Sequence, residues 1–274
     1  MKKISVLLVI LSIMTVLVAG CGGSQKANSP APAPEKKSVK IGVTAGPHAE
    51  IMEVVKKVAA KDGLDVQIVE FNDYMTPNIA LSQGDLDANS YQHQPWLDNQ
   101  IKDRKYDFAA VGKTVIFPMG IYSKSIKNIS EIKNGALIAI PNDPANSGRA
   151  LALLEKAGVI KLKSGAGIKA TLADIVENPK NVKINELDAA QIPHSLVDLD
   201  VAAINTNYAM VAGLVPTKDA IVIEDGNSPY ANLIVVRSQD KDNPVFKKLL
   251  TAYQSQEVKQ WINEKYKGSF LPTW

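Results

Sequence analysis

The stretch VKIGVTAGPHAEIMEVVKKVAAKDGLDVQIVEF, residues 39–71, joins two β-rich runs through a helical pattern. VKIGVT and VQIVEF are rich in Val and Ile, which favour strands. Gly63 ends the helical pattern, as glycine commonly does. One face of this predicted helix carries Ile51, Val54, Val55, Val58 and Ala59. A strand, a helix and a second strand in this order predict a parallel strand pair with the helix packed against it.

The same alternation continues along the chain. ALIAIPN precedes a helical pattern that contains Arg149, NVKINEL precedes DAAQIPHSLVDL, and VAAIN precedes NYAMVAGL. A last strand, NLIVVRS, is followed by helices predicted over residues 245–253 and 257–266. Alternating strands and helices predict an α/β fold with two mostly parallel sheets that are flanked by helices.

Two extended stretches interrupt the alternation: KTVIFPMGIYS, residues 113–123, and SPYANLIVVRS, residues 228–238. The first stretch lies where the opening strand–helix units of the chain end. The second stretch lies just before the C-terminal helices. A lobe made of both chain ends, with a second lobe inserted between, would use these stretches as its crossover strands. We therefore predict lobe 1 from residues 39–118 and 229–274, and lobe 2 from residues 119–228.

The N-terminus resembles a secretory signal. Two lysines precede an apolar run over residues 4–19, which is shorter than the roughly 20 residues that span a bilayer. The run ends in VAGC, residues 18–21, which resembles the lipobox of bacterial lipoproteins. In those proteins the cysteine carries lipid and becomes the mature N-terminus. We predict a signal peptide over residues 1–20.

Cys21 is the only cysteine in the chain, so neither an internal disulfide nor a cysteine metal cluster can form. Lipidation explains a lone cysteine at this place, and a plain signal peptide followed by a chance cysteine is the alternative. The segment after Cys21 is rich in Gly, Ser, Pro and Lys, which favours an extended spacer. We predict a tether over residues 21–38 that holds the protein at the extracytoplasmic face of the cell membrane.

The composition fits an ordinary globular protein, with 46% hydrophobic and 22% charged residues in a chain of 274. The formal net charge is +3, and it becomes +1 when Lys2 and Lys3 leave with the signal peptide. This balance, without a basic stripe, disfavours nucleic acid as a partner.

Polar and aromatic residues follow several predicted strands. In open α/β sheets ligands bind beyond the carboxyl ends of the strands, so these residues are the candidates for a ligand site. They are Tyr74, Tyr91, His93, Trp96, Asn142, Asn146, Arg149, Asn205, Asn207, Tyr230 and Asn232. The guanidinium suits a carboxylate, asparagine carbonyls suit an ammonium, and the aromatic rings suit an apolar tail. A small zwitterion fits the set as a whole, although each residue alone could be a core aromatic or a helix cap.

NDPANSGRALALLEKAG, residues 142–158, contains one oddity. We predict the N-cap at Asn146 or Ser147, which puts Arg149 in the first turn against the positive end of the helix dipole. The penalty is roughly 0.3–1 kcal/mol. A ligand carboxylate between the guanidinium and the helix amides would turn this repulsion into a shared attraction. A surface carboxylate that pairs with Arg149 is the alternative.

Five motifs in chain order carry a family resemblance: GVTAGPHAEIMEVV, QHQPWL, NDPANSGRAL, INTNYA and SPYANLIVV. Together they resemble the NlpA/MetQ family of methionine-binding lipoproteins. The resemblance implies the two-lobed periplasmic-binding-protein-like (type II) fold, with the ligand in the interlobe cleft. It also implies delivery of the ligand to an ABC importer, a permease with a cytoplasmic ATPase. We expect a monomer without a cofactor or a metal.

The resemblance also implies roles for the candidate residues. Arg149 would hold the ligand carboxylate. The other ligand-binding residues would be Tyr74, Tyr91 and His93 around the thioether, Asn146, Asn207 and Asn232 at the polar groups, and Tyr230 in the second crossover. Family members bind L-methionine, D-methionine or a methionine dipeptide, and the motifs do not choose among these ligands.

Other functions stay open from the sequence. A different amino acid or a short methionine-containing peptide is the nearest alternative, and an adhesin-like role could coexist with binding. A membrane-tethered enzyme is disfavoured because His48, His93 and His194 are far apart and the chain has no HExxH, GxSxG or Walker A motif. We interpret His48, in GPHAEI, as helping to begin a helix.

The anchor can be tested by changing Cys21 to serine, which keeps the size of the side chain and removes the thiol that would carry lipid. We expect Cys21→Ser to incorporate no labelled fatty acid and to leave the membrane fraction. Ser24→Ala, three residues further on, is the matched control and should behave as the parent does. A serine variant that still incorporates fatty acid would contradict the assignment.

Overall fold

The computed structural model describes residues 37–226 and 228–274. The predicted signal peptide, Cys21 and nearly all of the tether lie outside the described residues. Within the described part, no helix combines the length and the apolar character that crossing a bilayer requires.

The described chain alternates strands with helices. The strands are β1 (Ser38–Thr44), β2 (Asp65–Phe71), β3 (Ala88–Asn89), β4 (Phe108–Ile116), β5 (Gly120–Tyr122), β6 (Leu137–Pro141), β7 (Lys161–Leu162), β8 (Ile175–Glu177), β9 (Lys183–Leu187), β10 (Val201–Ile204), β11 (Ala220–Ile223), β12 (Ala231–Arg237) and β13 (Leu271–Pro272). The α-helices are α1 (Pro47–Lys61), α2 (Thr76–Gln83), α3 (Gln94–Arg104), α4 (Pro144–Lys156), α5 (Ile192–Ser195), α6 (Thr206–Val211), α7 (Pro216–Asp219), α8 (Pro244–Tyr253) and α9 (Gln256–Tyr266).

The opening unit forms as its sequence predicts. β1 and β2 pair in parallel along their whole length, from Ser38 beside Asp65 to Thr44 beside Phe71. Helix α1 connects them and begins at Pro47, because proline has no N–H to leave unbonded in the first turn. Its buried face includes Ile51, Met52, Val55, Val58 and Ala59.

The strands form two large sheets, which confirms the α/β fold. The first sheet has the order β13-β4-β12-β3-β1-β2, the second has the order β11-β5-β10-β6-β9, and β7 with β8 forms a small separate pair. The prediction that both sheets are mostly parallel is wrong. Parallel pairs are β1 with β2 and β3, and β6 with β9 and β10. Every antiparallel pair in the two large sheets contains β4, β5 or β12. These three strands lie next to the passages of the chain between the sheets, and each runs in the opposite direction to its neighbours.

The chain passes between the two large sheets twice, over residues 117–119 and again between the end of β11 and the start of β12. These passages overlap the two stretches that the sequence marks as crossovers. They also touch each other, because the Glu224 N–H donates to the Met119 carbonyl at 2.9 Å and the Met119 N–H donates to a Glu224 carboxylate oxygen at 3.2 Å.

Each large sheet has its own apolar core. Helices α1, α8 and α9 pack on the first sheet, where Ile41, Val55 and Phe246 are buried. Helix α4 packs on the second sheet. The predicted helix over DAAQIPHSLVDL is wrong in its length, because only α5 and a short 3-10 turn form there. Pro193 occupies the first turn of α5, which favours a helix start at that point and not earlier.

Gly46, just before α1, has φ 80° and ψ −130°, a backbone conformation that side chains disfavour. A Cβ atom at this position would lie 2.7 Å from Cγ2 of Val211 in α6. We expect Gly46→Ala to lower the free energy of unfolding by about 1–3 kcal/mol or more, as measured by urea denaturation.

Gly63→Ala is the matched control, because Gly63 also has positive φ but its Cβ would meet no atom within 4 Å. The Gly46 variant should lose more stability than this control, and Val211→Ala should restore only the part that is due to the close contact. Equal losses at the two glycines would contradict the prediction.

Candidate functional site

One cavity is lined by residues from both large sheets. From the first sheet and its helices come His48, Tyr74, Tyr91, Gln92, His93, Trp96 and Asn232, with Phe117 in the first passage. From the second come Asn146, Arg149, Asn205, Thr206 and Asn207. Seven of the eight predicted ligand-binding residues line this cavity, and Tyr230 does not. Loops that are far apart in the chain therefore meet at one place, as strand ends in α/β proteins do.

Helix α4 begins earlier than the sequence analysis predicts. Its N-cap is Asp143, whose carboxylate accepts a hydrogen bond from the Asn146 N–H at 2.8 Å, and Pro144 follows in the first turn. Asp followed by Pro is a strong helix start. The N-cap prediction at Asn146 or Ser147 is wrong, and Arg149 lies in the second turn. The helix dipole therefore gives no reason for a ligand carboxylate at Arg149, because the dipole acts mainly on the first turn.

Arg149 is only 4% exposed, and its guanidinium is held from several sides. Nε donates to Glu224 Oε1 at 3.1 Å, and Nη2 donates to Glu224 Oε2 and to the Phe117 carbonyl at 2.9 Å. Cζ lies 4.2 Å from the centre of the Tyr230 ring, a favourable cation–π distance. Arg149 thus lines the cavity and also pairs with a carboxylate of the protein, as the alternative above expects, but this carboxylate is mostly buried and not on the surface.

Glu224 is the residue that the sequence analysis missed at this pair. It follows β11 directly, and only 15% of its side chain is exposed. A charged residue after a strand usually lies on the surface, so its position alone gives no signal. The signal lies in Arg149, because a buried arginine requires a counter-charge somewhere in the fold.

Asp143 orients a chain of three side chains that leads to the cavity. Both carboxylate oxygens accept hydrogen bonds from Nδ2 of Asn146, at 3.1 and 3.0 Å. Oδ1 of Asn146 must then face His93 and Asn205, and it accepts from His93 Nε2 at 3.2 Å and from Asn205 Nδ2 at 2.9 Å. His93 is consequently protonated on Nε2, which agrees with the hydrogen bond that its Nδ1 accepts from the Trp96 N–H. Asn205 is left presenting its carbonyl oxygen.

A second chain orients Asn207. The Tyr91 hydroxyl donates to the Tyr74 carbonyl at 2.7 Å, and the Tyr74 hydroxyl donates to Asn207 Oδ1 at 2.6 Å. Burial raises the pKa of both tyrosines well above the usual 10, so both phenols keep their protons. Asn207 is left presenting its amide N–H groups. Tyr74 follows β2 and Asn207 belongs to α6, so this bond also joins the two sides of the cavity.

A third set fixes Asn232. Its Nδ2 donates to the Tyr91 carbonyl at 3.2 Å and to Nε2 of His48 at 2.7 Å. Nδ1 of His48 therefore carries the proton and donates to the Thr44 hydroxyl, also at 2.7 Å. Both amide N–H groups of Asn232 are used in this way, which leaves its carbonyl oxygen as an acceptor. His48 begins α1 as interpreted above, and it also lines the cavity.

Aromatic rings form the apolar wall. The Tyr74 ring lies 5.9 Å from Tyr91 and 5.7 Å from Trp96, between ring centres. His48 stacks on Phe117 at 4.2 Å. The ligand-binding residues predicted from the sequence do not include six lining residues: His48, Gln92, Trp96, Phe117, Asn205 and Thr206. Trp96 and Asn205 stood among the strand-end candidates, whereas Gln92 belongs to the motif QHQPWL and Phe117 to the first crossover stretch without either having been singled out.

Two buried histidines line the cavity. Burial lowers the pKa of His48 to about 3, and burial together with the nearby Arg149 charge lowers the pKa of His93 to about 3. Both imidazoles are therefore neutral near pH 7. Within the described residues, no group of three or more His, Cys, Asp or Glu side chains could hold a metal ion.

Two α/β sheets that the chain connects twice, with a cavity lined from both, define the two-lobed substrate-binding-protein fold. The sequence profile of the NlpA lipoprotein family matches residues 39–274. The chain therefore belongs to the NlpA lipoprotein family, and the resemblance of the five motifs is confirmed.

Relatives and solved structures agree with this assignment. The D-methionine-binding lipoprotein MetQ of Salmonella typhimurium is 50% identical over 265 residues, which cover 96% of this chain and 95% of the relative. A nutrient binding protein from Burkholderia cenocepacia, solved bound to methionine, is 56% identical with a TM-score of 0.84; the match covers 86% of this chain and 100% of that chain. A periplasmic substrate-binding protein of an ABC transporter from Coxiella burnetii is 50% identical with a TM-score of 0.83, over the same shares of the two chains.

The two buried histidines predict a loss of stability in acid. An unfolded chain takes up a proton on each histidine near pH 6.5, whereas the folded protein does so only near pH 3. Their contribution is complete above pH 6.5 and declines as the pH falls towards 3. Between pH 6 and pH 4, each histidine should lower the free energy of unfolding by about 1.4 kcal/mol per pH unit.

Urea denaturation at several pH values measures this slope. Between pH 6 and pH 4, the free energy of unfolding of His48→Gln should change with pH less steeply than that of the parent, by about 1.4 kcal/mol per pH unit. This holds whatever the stability of the variant at pH 7. His194→Gln, at an exposed position, is the matched control and should keep the slope of the parent. If His48→Gln also keeps the parent slope, the histidine is not buried in its neutral form.

Proposed function

We propose that this protein binds methionine in the cavity between its two sheets and delivers it to an ABC importer. One observation carries the proposal: buried polar atoms with opposite requirements face one cavity. Asn205 Oδ1 is an acceptor and Asn207 Nδ2 is a donor, and neither has a hydrogen-bond partner among the described residues. Buried polar groups are nearly always paired, so such atoms are expected to bind a ligand.

The chemistry of the site matches an amino acid. Arg149 and Asn207 offer donors for a carboxylate, and the carbonyl oxygens of Asn205 and Asn232 offer acceptors for an ammonium. Tyr74 and Tyr91 line the same cavity and would pack against an apolar side chain. A thioether gains about 0.3–1.5 kcal/mol from an aromatic edge. In this assignment Asn146 and His93 act through other residues as much as by contact, because their polar atoms are bound to Asp143, Asn205 and Trp96.

The relatives support the particular ligand and the partner. A relative named for D-methionine binding and a solved structure bound to methionine are both about half identical to this chain, and another solved relative belongs to an ABC transporter. We extend the proposal to a lipid anchor at Cys21, an extracytoplasmic location and a monomer. The same proposal divides the chain into lobes at residues 118/119 and 228/229. It assigns no catalytic activity to the protein.

Calorimetry with a set of ligands tests the binding proposal. We expect L- or D-methionine to bind more tightly than norleucine by no more than about 1.5 kcal/mol, because norleucine lacks only the sulfur contact. Alanine and serine should bind far more weakly, since each lost CH₂ costs about 0.8 kcal/mol. A methionine-containing dipeptide is included because the relatives do not exclude one. Equal affinity for all these ligands, or turnover of any of them, would contradict the proposal.

A substitution at Asn207 gives the most specific test of the binding proposal. Asn207→Asp keeps the size of the side chain and the acceptor for Tyr74, but replaces the free N–H groups by a carboxylate oxygen. It should weaken methionine binding by about 30-fold or more, because a buried charge-assisted contact is replaced by repulsion. Asn185→Asp makes the same change at an exposed position on β9, and it should bind as the parent does.

A further inference from the structure

Among the described residues that line the cavity, Arg149 is the one that carries a formal charge. The other lining residues are aromatic, amide or hydroxyl side chains, together with the two histidines that are neutral near pH 7. The charge that balances Arg149 lies just behind it, on Glu224, which does not line the cavity itself. Arg149 and Glu224 together therefore present a net charge of zero to a bound ligand.

The Asp143 carboxylate also lies close to the site, behind Asn146. Both of its oxygens are bound by Asn146, which separates it from the cavity, and it caps the N-terminus of α4. The partial positive charge of a helix N-terminus amounts to about half an elementary charge. Asp143 thus faces a positive helix end, whereas Glu224 faces the arginine.

Glu224 also determines which part of the guanidinium is available. It occupies Nε and shares Nη2 with the Phe117 carbonyl. Among the described residues, Nη1 has no hydrogen-bond partner. A ligand carboxylate would therefore meet one free edge of a guanidinium whose charge is already balanced.

We propose that Glu224 sets the net charge of the ligand, so that the cavity accepts zwitterions and disfavours ions that carry only one of the two charges. This inference rests on the proposed function, because it takes the ligand to be an amino acid held at Arg149. A zwitterion brings no net charge to a site that has none. An anion that lacks the ammonium group would add an uncompensated charge beside the Glu224 carboxylate, in surroundings where charges interact strongly.

Three ligands with the same thioether tail separate these effects. Methionine carries both charges, 4-(methylsulfanyl)butanoate carries only the carboxylate, and 3-(methylsulfanyl)propan-1-amine carries only the ammonium. Calorimetry gives the affinity of each ligand for the parent and for Glu224→Gln, which keeps an acceptor for Arg149 and removes the charge. In the variant, binding of the butanoate relative to methionine should improve by about tenfold or more, and binding of the amine should weaken.

Three further variants make the test decisive. Glu224→Asp keeps the charge on a shorter side chain, so its affinity should fall for all ligands while the ratio between them stays that of the parent. Asp225→Asn removes a charge one residue away, at a position that is 57% exposed, and should leave the ratio unchanged. Glu224→Met removes the charge without an acceptor and should shift the ratio in the same direction as Glu224→Gln.

The possible results are distinguishable. If the folded parent does not bind methionine, the proposed function fails and this inference fails with it. If the parent binds methionine but both neutral variants keep its ratio of affinities, only the role of Glu224 is overturned. The same holds if Glu224→Asp shifts the ratio as much as Glu224→Gln. Circular dichroism checks the fold of each variant, and if neither neutral variant folds, Glu224 is a structural residue and the inference is withdrawn.

Discussion

A guanidinium buried between two sheets cannot be left without a counter-charge, because the cost of desolvating it would exceed what packing returns. Arg149 meets this requirement with Glu224, the Phe117 carbonyl and the ring of Tyr230. These partners all belong to the two passages of the chain between the sheets or adjoin them. The charge therefore fixes the place where the halves of the molecule join, and the cavity opens beside that junction.

The asparagines around this junction owe their orientation to hydrogen bonds with neighbouring residues. An amide side chain is nearly symmetric in shape, so packing alone does not decide which end faces a ligand. Here a carboxylate behind Asn146 and a backbone carbonyl beside Asn232 decide it. Each can accept hydrogen bonds only, and therefore turns the amide nitrogen towards itself. The acceptor at Asn205 and the protonated nitrogen of His93 follow from the first of these contacts, without any direct contact with Asp143.

The parts of this structure that follow from local periodicity were predictable. The opening unit, the helices near the C-terminus and the strand-end candidates all come from patterns within about 30 residues. Strand direction was not predictable in the same way, because whether β12 runs parallel or antiparallel depends on which sheet it comes from. Glu224 was missed for a related reason: its partner is 75 residues away in sequence. The start of α4 is different, since Asp143 before Pro144 is a local signal that outweighs the asparagine further on.

The order of strands in the first sheet has a consequence for biosynthesis. All strands of the second sheet lie between Gly120 and Ile223, so they are available as soon as that part of the chain has emerged. In the first sheet, β12 stands between β3 and β4 and is the bridge that joins them. Until residue 237 has been made, β3 and β4 present edges without their neighbour, and such edges invite pairing with other chains. The strands of the second sheet can thus pair before those of the first, whose order is completed only when β12 and β13 are available.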